Sequence, residues 1–398
     1  MRKRTSIRGF TAVELIVVVV VLGILLALAI VYVNRTRQHE RPSRCGFNLH
    51  NLIIATKTYE TAKHRYPSSA QINAKSPAAG ETPLFNQQQL GTAKAPGSIS
   101  AGDAGYSWLV QLLPFLDEAV LYEKIAKVSE NLKVESAFSA KMVDTFKLPG
   151  DSVTQTRHFS TISLSFLICT SFSGENYVPK DGTISKYDQL AGEDSSGKPY
   201  SAAITNYVPL VATHLECMKP KPDADRAEPP NGMIIPGHGL SRVNNSDGES
   251  KTIMLTETKE QYFSSWYDGT TPWTVAVWPD GKNQPTKDAK TGWWTIDTTG
   301  RDANGAANGA ASLAAGPKNA KVTASYMTAK TLAGVLTNYK GQTDWKWGPS
   351  SDHESGNVMH AFADGGVRAI TQDIDPNVYM HLVTRAGGEN DGGDVINN

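Results

Sequence analysis

Leu15 to Val33 is an unbroken run of 19 uncharged residues in which only Tyr32 carries a polar group. As a helix rising about 1.5 Å per residue it spans about 28 Å, close to the ~30 Å hydrocarbon core of a bilayer. Its β-branched stretch, Val17 to Val21, is a mediocre helix former in water. In lipid the backbone must satisfy its own hydrogen bonds, so a helix is imposed. A secretory signal peptide has a shorter apolar region and a small-residue cleavage site. Val31-Tyr32-Val33-Asn34-Arg35 offers no such site. Charge alone does not orient the segment, because Arg2, Lys3, Arg4 and Arg8 precede it and Arg35, Arg37, Arg41 and Arg44 follow it. The run reads as one transmembrane helix over residues 10–34.

The residues just ahead of the run are Gly9-Phe10-Thr11-Ala12-Val13-Glu14. This stretch resembles the type IV prepilin cleavage and methylation motif. The resemblance implies a basic leader (1–9) that stays in the cytoplasm and is cut after Gly9 by a membrane prepilin peptidase. Phe10 becomes the first mature residue and is N-methylated, and Glu14 falls fifth. A carboxylate near a bilayer core costs roughly 2.5–3.5 kcal/mol unless partnered. The resemblance pairs Glu14 with the Phe10 amine of a neighbouring subunit, which sets the axial stagger of a filament. The bland alternative places Glu14 at the headgroup level. Gly23 also matches a glycine of many pilins, whereas Val31 stands where many carry a proline.

Beyond the membrane, Cys45, Leu49, Leu52, Ile53, Thr56 and Tyr59 recur at three and four residues and form one apolar stripe. The helix is therefore expected to continue as a stem over 35–66, with Pro42 marking a bend or a fresh start and Tyr66-Pro67 ending it. Residues 67–398 read as an extracytoplasmic α+β domain with long loops near 68–105, 219–230 and 300–320. Ser107 to Lys127 reads as helix broken at Pro114. Thr161–Thr170, Met233–Ile235 and Thr252–Thr256 read as strands. The clearest hairpin is Asn357–Phe362, a turn at Ala363-Asp364-Gly365-Gly366, and Val367–Ile370. With 39 basic and 39 acidic residues the chain has no basic field for nucleic acid.

These blocks carry a second resemblance. Arg44-Cys45-Gly46-Phe47-Asn48-Leu49 through Tyr66-Pro67, Ser107-Trp108 through Leu121-Tyr122, Thr252 to Glu257, and Ser351-Asp352-His353 through Arg368 are similar to domain of unknown function 1559. That domain is attached to many planctomycete prepilin-like proteins. The resemblance implies a long N-terminal pilin-like helix, half of it transmembrane, packed on a mixed domain with an antiparallel β-sheet. It supplies no activity. Here Gly46-Phe47 replaces the usual paired asparagines, and Thr170 replaces the proline usual after the second cysteine.

Three cysteines, Cys45, Cys169 and Cys217, would face the oxidising side. The simplest arithmetic is one disulfide and one thiol left over, with Cys45 and Cys169 as the expected pair. Three buried free thiols are the alternative. His353, His360 and Asp364 invite a metal or catalytic reading, but they surround a hairpin and lack a His-Glu-x-x-His pattern. They are read as structural, with His353 capping a loop and Asp364 making a turn. Asp373, Asp375, Glu389, Asp391 and Asp394 match no calcium loop. Seven of the eight tryptophans lie between Trp266 and Trp347, as core filling or as an exposed aromatic platform. No nucleophile elbow or phosphate loop occurs, so no catalytic residue, metal or cofactor is assigned and no enzyme is expected.

The function expected is a structural subunit of a type IV pilus or type II secretion pseudopilus. Its partners would be prepilin peptidase, other pilin or pseudopilin subunits and membrane lipid. It would sit in the cytoplasmic (inner) membrane with its N-terminus inside and its domain periplasmic or at the cell surface. The alternative is a non-polymerising, membrane-anchored surface protein that binds a ligand such as a glycan.

Overall fold

The computed structural model describes residues 12–69, 105–147, 154–178, 191–193, 199–214, 231–276, 286–295, 314–315, 348–371 and 374–388, with a few short gaps inside these ranges. The first element, α1 (Ala12–Lys63), is a helix of 52 residues. Pro42 lies inside it without ending it. Proline removes one backbone donor and crowds the preceding turn. Downstream, Cys45, Leu49, Leu52, Ile53, Thr56 and Tyr59 are all buried, so docking of this stripe holds the helix through the defect. It ends at Lys63, where His64 turns to φ 56°. The next residues are then held by the domain, with Tyr66 N–H donating to Leu240 O and Ser69 N–H to Ile235 O.

The elements that follow are short. Ser107 caps α2 (Trp108–Leu112) by accepting from the backbone of Leu109 and Val110. A 3-10 turn across Pro114 leads to α3 (Ala119–Val128), so the expected break falls where proline forces it. Next come the hairpin β1 (Val143–Phe146)–β2 (Gln155–His158) and the pair β3 (Ala191–Glu193)–β4 (Pro199–Ser201). The strands β5 (Tyr207–Ala212), β6 (Ile253–Glu257) and β7 (Thr274–Val275) belong to the central sheet. A two-strand ladder, β8 (Thr286–Lys287)–β9 (Trp294–Thr295), and a parallel pair, β10 (Ala314–Ala315)–β11 (Ser350–Ser351), precede β12 (Asn357–Phe362), β13 (Val367–Thr371) and α4 (Pro376–His381).

The central sheet has the order β13-β12-β6-β5-β7. Its pairs are antiparallel except β5 with β7, which is parallel. The fold class is thus α+β with antiparallel and mixed sheets. Every residue of β5 and β6 is buried, so the centre of the sheet is covered on both faces. The β12–β13 hairpin turns at Gly365, whose φ of 95° excludes most side chains. Asp364 makes that turn as expected: its carboxylate accepts from Gly366 N–H at 2.7 Å and from Arg368 at 2.8 Å.

Four expectations differ from the structure or lie beyond it. Residues 161–170 are not a strand but two 3-10 turns, Phe159–Thr161 and Ser165–Leu167. Met233–Ile235 is buried but forms a bend. In both stretches apolar residues fill the core without pairing edge to edge. The loops read at 68–105, 219–230 and 300–320 fall mostly outside the described residues. Among the described residues, no helix is long and apolar enough to cross a membrane. The expected half-transmembrane span over 10–34 lies partly outside them, since side chains are described from Ala12 to Leu28 and again from Pro42.

His360 shows how the sheet is locked to α4. Its Nδ1 lies 2.9 Å from Val358 O and its Nε2 2.8 Å from the Tyr379 hydroxyl. The neutral ring protonated on Nδ1 satisfies both, donating to the carbonyl and accepting from the phenol. Burial lowers the His360 pKa to about 3, and burial likewise holds His158 and His214 at about 4. A depressed histidine contributes stability that is complete above its unfolded value of about 6.5 and is lost as pH falls toward the folded value. Urea denaturation across this range should therefore show stability falling by roughly 1.4 kcal/mol per pH unit for each such histidine. His360→Gln should make that acid limb shallower; an unchanged limb would contradict the assignment.

Candidate functional site

Glu14 lies in the first turn of α1 with its side chain exposed, and a carboxylate there complements the positive end of the helix. Gly9 and Phe10 lie outside the described residues. Cys45 sits on the buried stripe of α1 and is joined by a disulfide to Cys169, with a Cα–Cα distance of 5.0 Å across 124 residues of chain. Such a cross-link contributes typically ~2–4 kcal/mol by restricting the unfolded chain. The bond ties the stem to an irregular segment, not to a strand. That segment is itself held, because Cys169 N–H donates to Asn206 Oδ1 at 2.9 Å while Asn206 Nδ2 donates to Thr258 O at 2.9 Å.

Two ionisable side chains are packed against the disulfide. Glu257 closes β6 and is buried. Its Oε2 accepts from Met359 N–H at 3.0 Å. Its Oε1 accepts no hydrogen bond and faces His353 Nε2 at 3.6 Å. The same His353 nitrogen lies 3.6 Å from Cys169 Sγ. Ligand-type atoms of Cys45, Cys169, Glu257 and His353 all lie within 4.8 Å of one another. Burial raises the Glu257 pKa to about 8, against the pull of the Met359 N–H. Burial lowers that of His353. His353 therefore does more than cap a loop: it is a wall of this centre.

The surroundings are polar but satisfied. The Tyr207 hydroxyl donates to Cys45 O at 3.3 Å, and burial together with nearby Glu257 raises its pKa. Lys259 and Asp352 form a buried ion pair at 3.1 Å. Asp352 also accepts from Ser173 N–H at 2.9 Å and from Ser173 Oγ at 2.8 Å. Breaking such a pair from one side leaves an uncompensated buried charge, so these residues hold the wall next to His353 in place.

A second feature is a cleft of about 220 Å³ lined by Asn231, Lys287, Trp294, Thr384 and Arg385. Trp294 meets His214 edge to face at 4.7 Å and carries Lys287 Nζ at 5.6 Å from its ring. Trp266 and Trp273 are buried and fill the core, while Trp293 and Trp294 are half-buried. The core-filling reading therefore holds for Trp266 and Trp273; Trp278, Trp345 and Trp347 lie outside the described residues. Of the acidic residues near the C-terminus, Asp375 caps α4, accepting from Asn377 and Val378 N–H. Asp373, Glu389, Asp391 and Asp394 are not described.

Sequence reasoning missed Glu257 as part of a centre. The available signal was a carboxylate closing the apolar run Ile253-Met254-Leu255-Thr256. A glutamate whose folded pKa is raised contributes stability that is complete below its unfolded value of about 4.5 and is lost as pH rises through about 8. Urea denaturation should show this decline above about pH 6.5, where the buried histidines no longer titrate in either state, at roughly 1.4 kcal/mol per pH unit. Glu257→Gln should remove it while leaving the acid limb from the histidines intact.

No curated protein and no solved structure matches the chain. Residues 34–377 match the family model described as Protein of unknown function (DUF1559). The match begins beyond Gly9, Phe10 and Glu14, and it takes in Cys45, Cys169, Glu257, His353 and the β12–β13 hairpin. Covering most of the 398 residues, it places this chain in the DUF1559 family.

Proposed function

We propose that the chain is a prepilin-like structural subunit of a type IV pilus or type II secretion pseudopilus, cut after Gly9 and N-methylated on Phe10. One observation carries this reading. The described residues of α1 from Val13 to Leu28 expose large apolar side chains, Val13 at 70% and Leu26 at 63%, while one face of the same helix, from Cys45 to Tyr59, is buried in the domain. Exposed apolar surface on this scale calls for lipid or for other helices. A prepilin-type subunit uses both in turn, leaving the inner membrane for a bundle of like helices.

In this reading Glu14 pairs with the Phe10 amine of the next subunit and sets the register. The domain decorates the outside of the filament, on the periplasmic or cell-surface side. No step is catalytic. The cleft at Trp294 favours a second reading, a non-polymerising anchored protein that holds a small polar ligand such as a sugar against the ring.

Peptide mass spectrometry of the native mature protein should find N-methylated Phe10 as the first residue. An intact Met1, or a terminus near Arg35, would sink the pilin reading. Copurification with sheared filaments, lost in Glu14→Ala at unchanged protein level, separates assembly from simple anchoring.

A further inference from the structure

A structural disulfide asks only for apolar packing around it. The Cys45–Cys169 bond instead has a buried imidazole and a buried carboxylate against it. Burying a carboxylate with one oxygen unsatisfied costs free energy that apolar neighbours would avoid. That expense is explained if both side chains serve a second state of the cysteines.

We propose that Cys45, Cys169, His353 and Glu257 form a redox-gated site for a zinc-type divalent cation, closed as a disulfide when oxidised and open to the metal when reduced. The donor set is right for such an ion. Two thiolates, one imidazole nitrogen and one carboxylate oxygen make a four-coordinate shell of the kind zinc prefers over magnesium or calcium. The spacing is right as well. With Zn–S near 2.3 Å and Zn–N or Zn–O near 2.0–2.1 Å, a tetrahedron has edges of about 3.5 Å from sulfur to nitrogen and about 3.3 Å from nitrogen to oxygen. The sulfur–nitrogen and nitrogen–oxygen separations here are both 3.6 Å. The two sulfurs must part, to about 3.8 Å, which reduction permits, and the remaining ligand atoms already lie within 4.8 Å of one another.

A neighbouring backbone group already orients the carboxylate ligand. Met359 N–H holds Oε2 of Glu257, which leaves Oε1 turned toward His353. Hydrogen bonds from outside the shell commonly fix ligating carboxylates in this way. The chemistry balances with a dithiol as reductant. Its two thiols reduce the disulfide, giving Cys45 and Cys169 thiols and the donor's own disulfide. Both cysteine protons, and any proton on Glu257, then leave to solvent as the cation binds.

The test uses the full chain carrying Cys217→Ser, so that the only thiols are the pair. It is reduced with a phosphine and titrated with Co²⁺ alone. The expected result is one Co²⁺ per chain, with tetrahedral d–d absorption and a thiolate-to-metal charge-transfer band, and none of this in the oxidised chain. Cys45→Ser with Cys169→Ser should abolish the charge-transfer band. His353→Asn and Glu257→Gln should each weaken Co²⁺ binding by at least about tenfold. Zinc should displace the cobalt and raise the melting temperature of the reduced chain. A reduced chain that stays folded yet shows no tetrahedral spectrum overturns the proposal. So does a spectrum unchanged in His353→Asn, or loss of fold on reduction that added zinc does not reverse.

Discussion

The structure depends on one act of docking, the C-terminal half of α1 against the sheet. Leu49, Leu52 and Ile53 are fully buried there, and each contributes roughly 1.5–3 kcal/mol by leaving water. The helix comes close enough at Gly46 that an added Cβ would lie 3.1 Å from Met359 Cε on β12. Polar ties fix its rotation and slide. Lys57 Nζ donates to Ala363 O at 2.8 Å, at the hairpin tip, and pairs with Glu249 at 3.3 Å. His50 Nδ1 lies 3.2 Å from Gly365 O. The Cys45–Cys169 bond adds a covalent pin at the N-terminal end of the buried stripe. Without this docking, the faces of β6 and β12 that it covers would meet water.

A second constraint operates one layer further in. β6 is buried along its whole length, yet it ends in Thr256 and Glu257 and is followed by Thr258 and Lys259, all buried. Each has to find a partner within the fold. Thr258 O accepts from Asn206, the Thr258 hydroxyl donates to Gly348 O at 2.9 Å, and Lys259 pairs with Asp352. Glu257 alone keeps an oxygen without a hydrogen bond. This polar seam brings residues near 206, 258 and 350 together, which apolar packing would do with less specificity. The price is sensitivity to pH from both sides, since the buried histidines favour higher pH and Glu257 lower.

Much of this was legible in the amino-acid order where a single period governs. The stripe from Cys45 to Tyr59 follows helical spacing and is buried residue for residue. The β12–β13 hairpin announces itself through Asp364-Gly365-Gly366, because few residues take that backbone conformation cheaply. Legibility failed where apolar residues enter the core without regular structure. Leu164 and Leu167 are buried, yet Leu164 only leads into the 3-10 turn that Leu167 closes. Met233 to Ile235 is likewise buried, in a bend. Hydrophobicity reports burial, and strand pairing needs a free neighbouring edge that no local pattern reveals. The centre at Glu257 was hidden for a related reason. Its four residues are scattered from position 45 to position 353, and only the register of β6 against β12 and the path of α1 bring them together.

The two halves of α1 solve opposite problems with one continuous helix. Between Cys45 and Tyr59 specificity is high, because side chains meet a fixed partner surface and one covalent bond. From Val13 to Leu28 the surface is uniformly apolar and nearly featureless, with valines and leucines on every side. Such a face has no preferred rotation and no pocket to fill. It suits an environment that is itself uniform, or a bundle whose contacts repeat. Glu14 is the one charged group in that stretch, so any axial register has to be set there. In the function proposed here, the domain is held firmly to a rod whose other end exchanges one apolar environment for another. That division of labour follows from the distribution of polar groups along a single helix: many partners at one end, one carboxylate at the other.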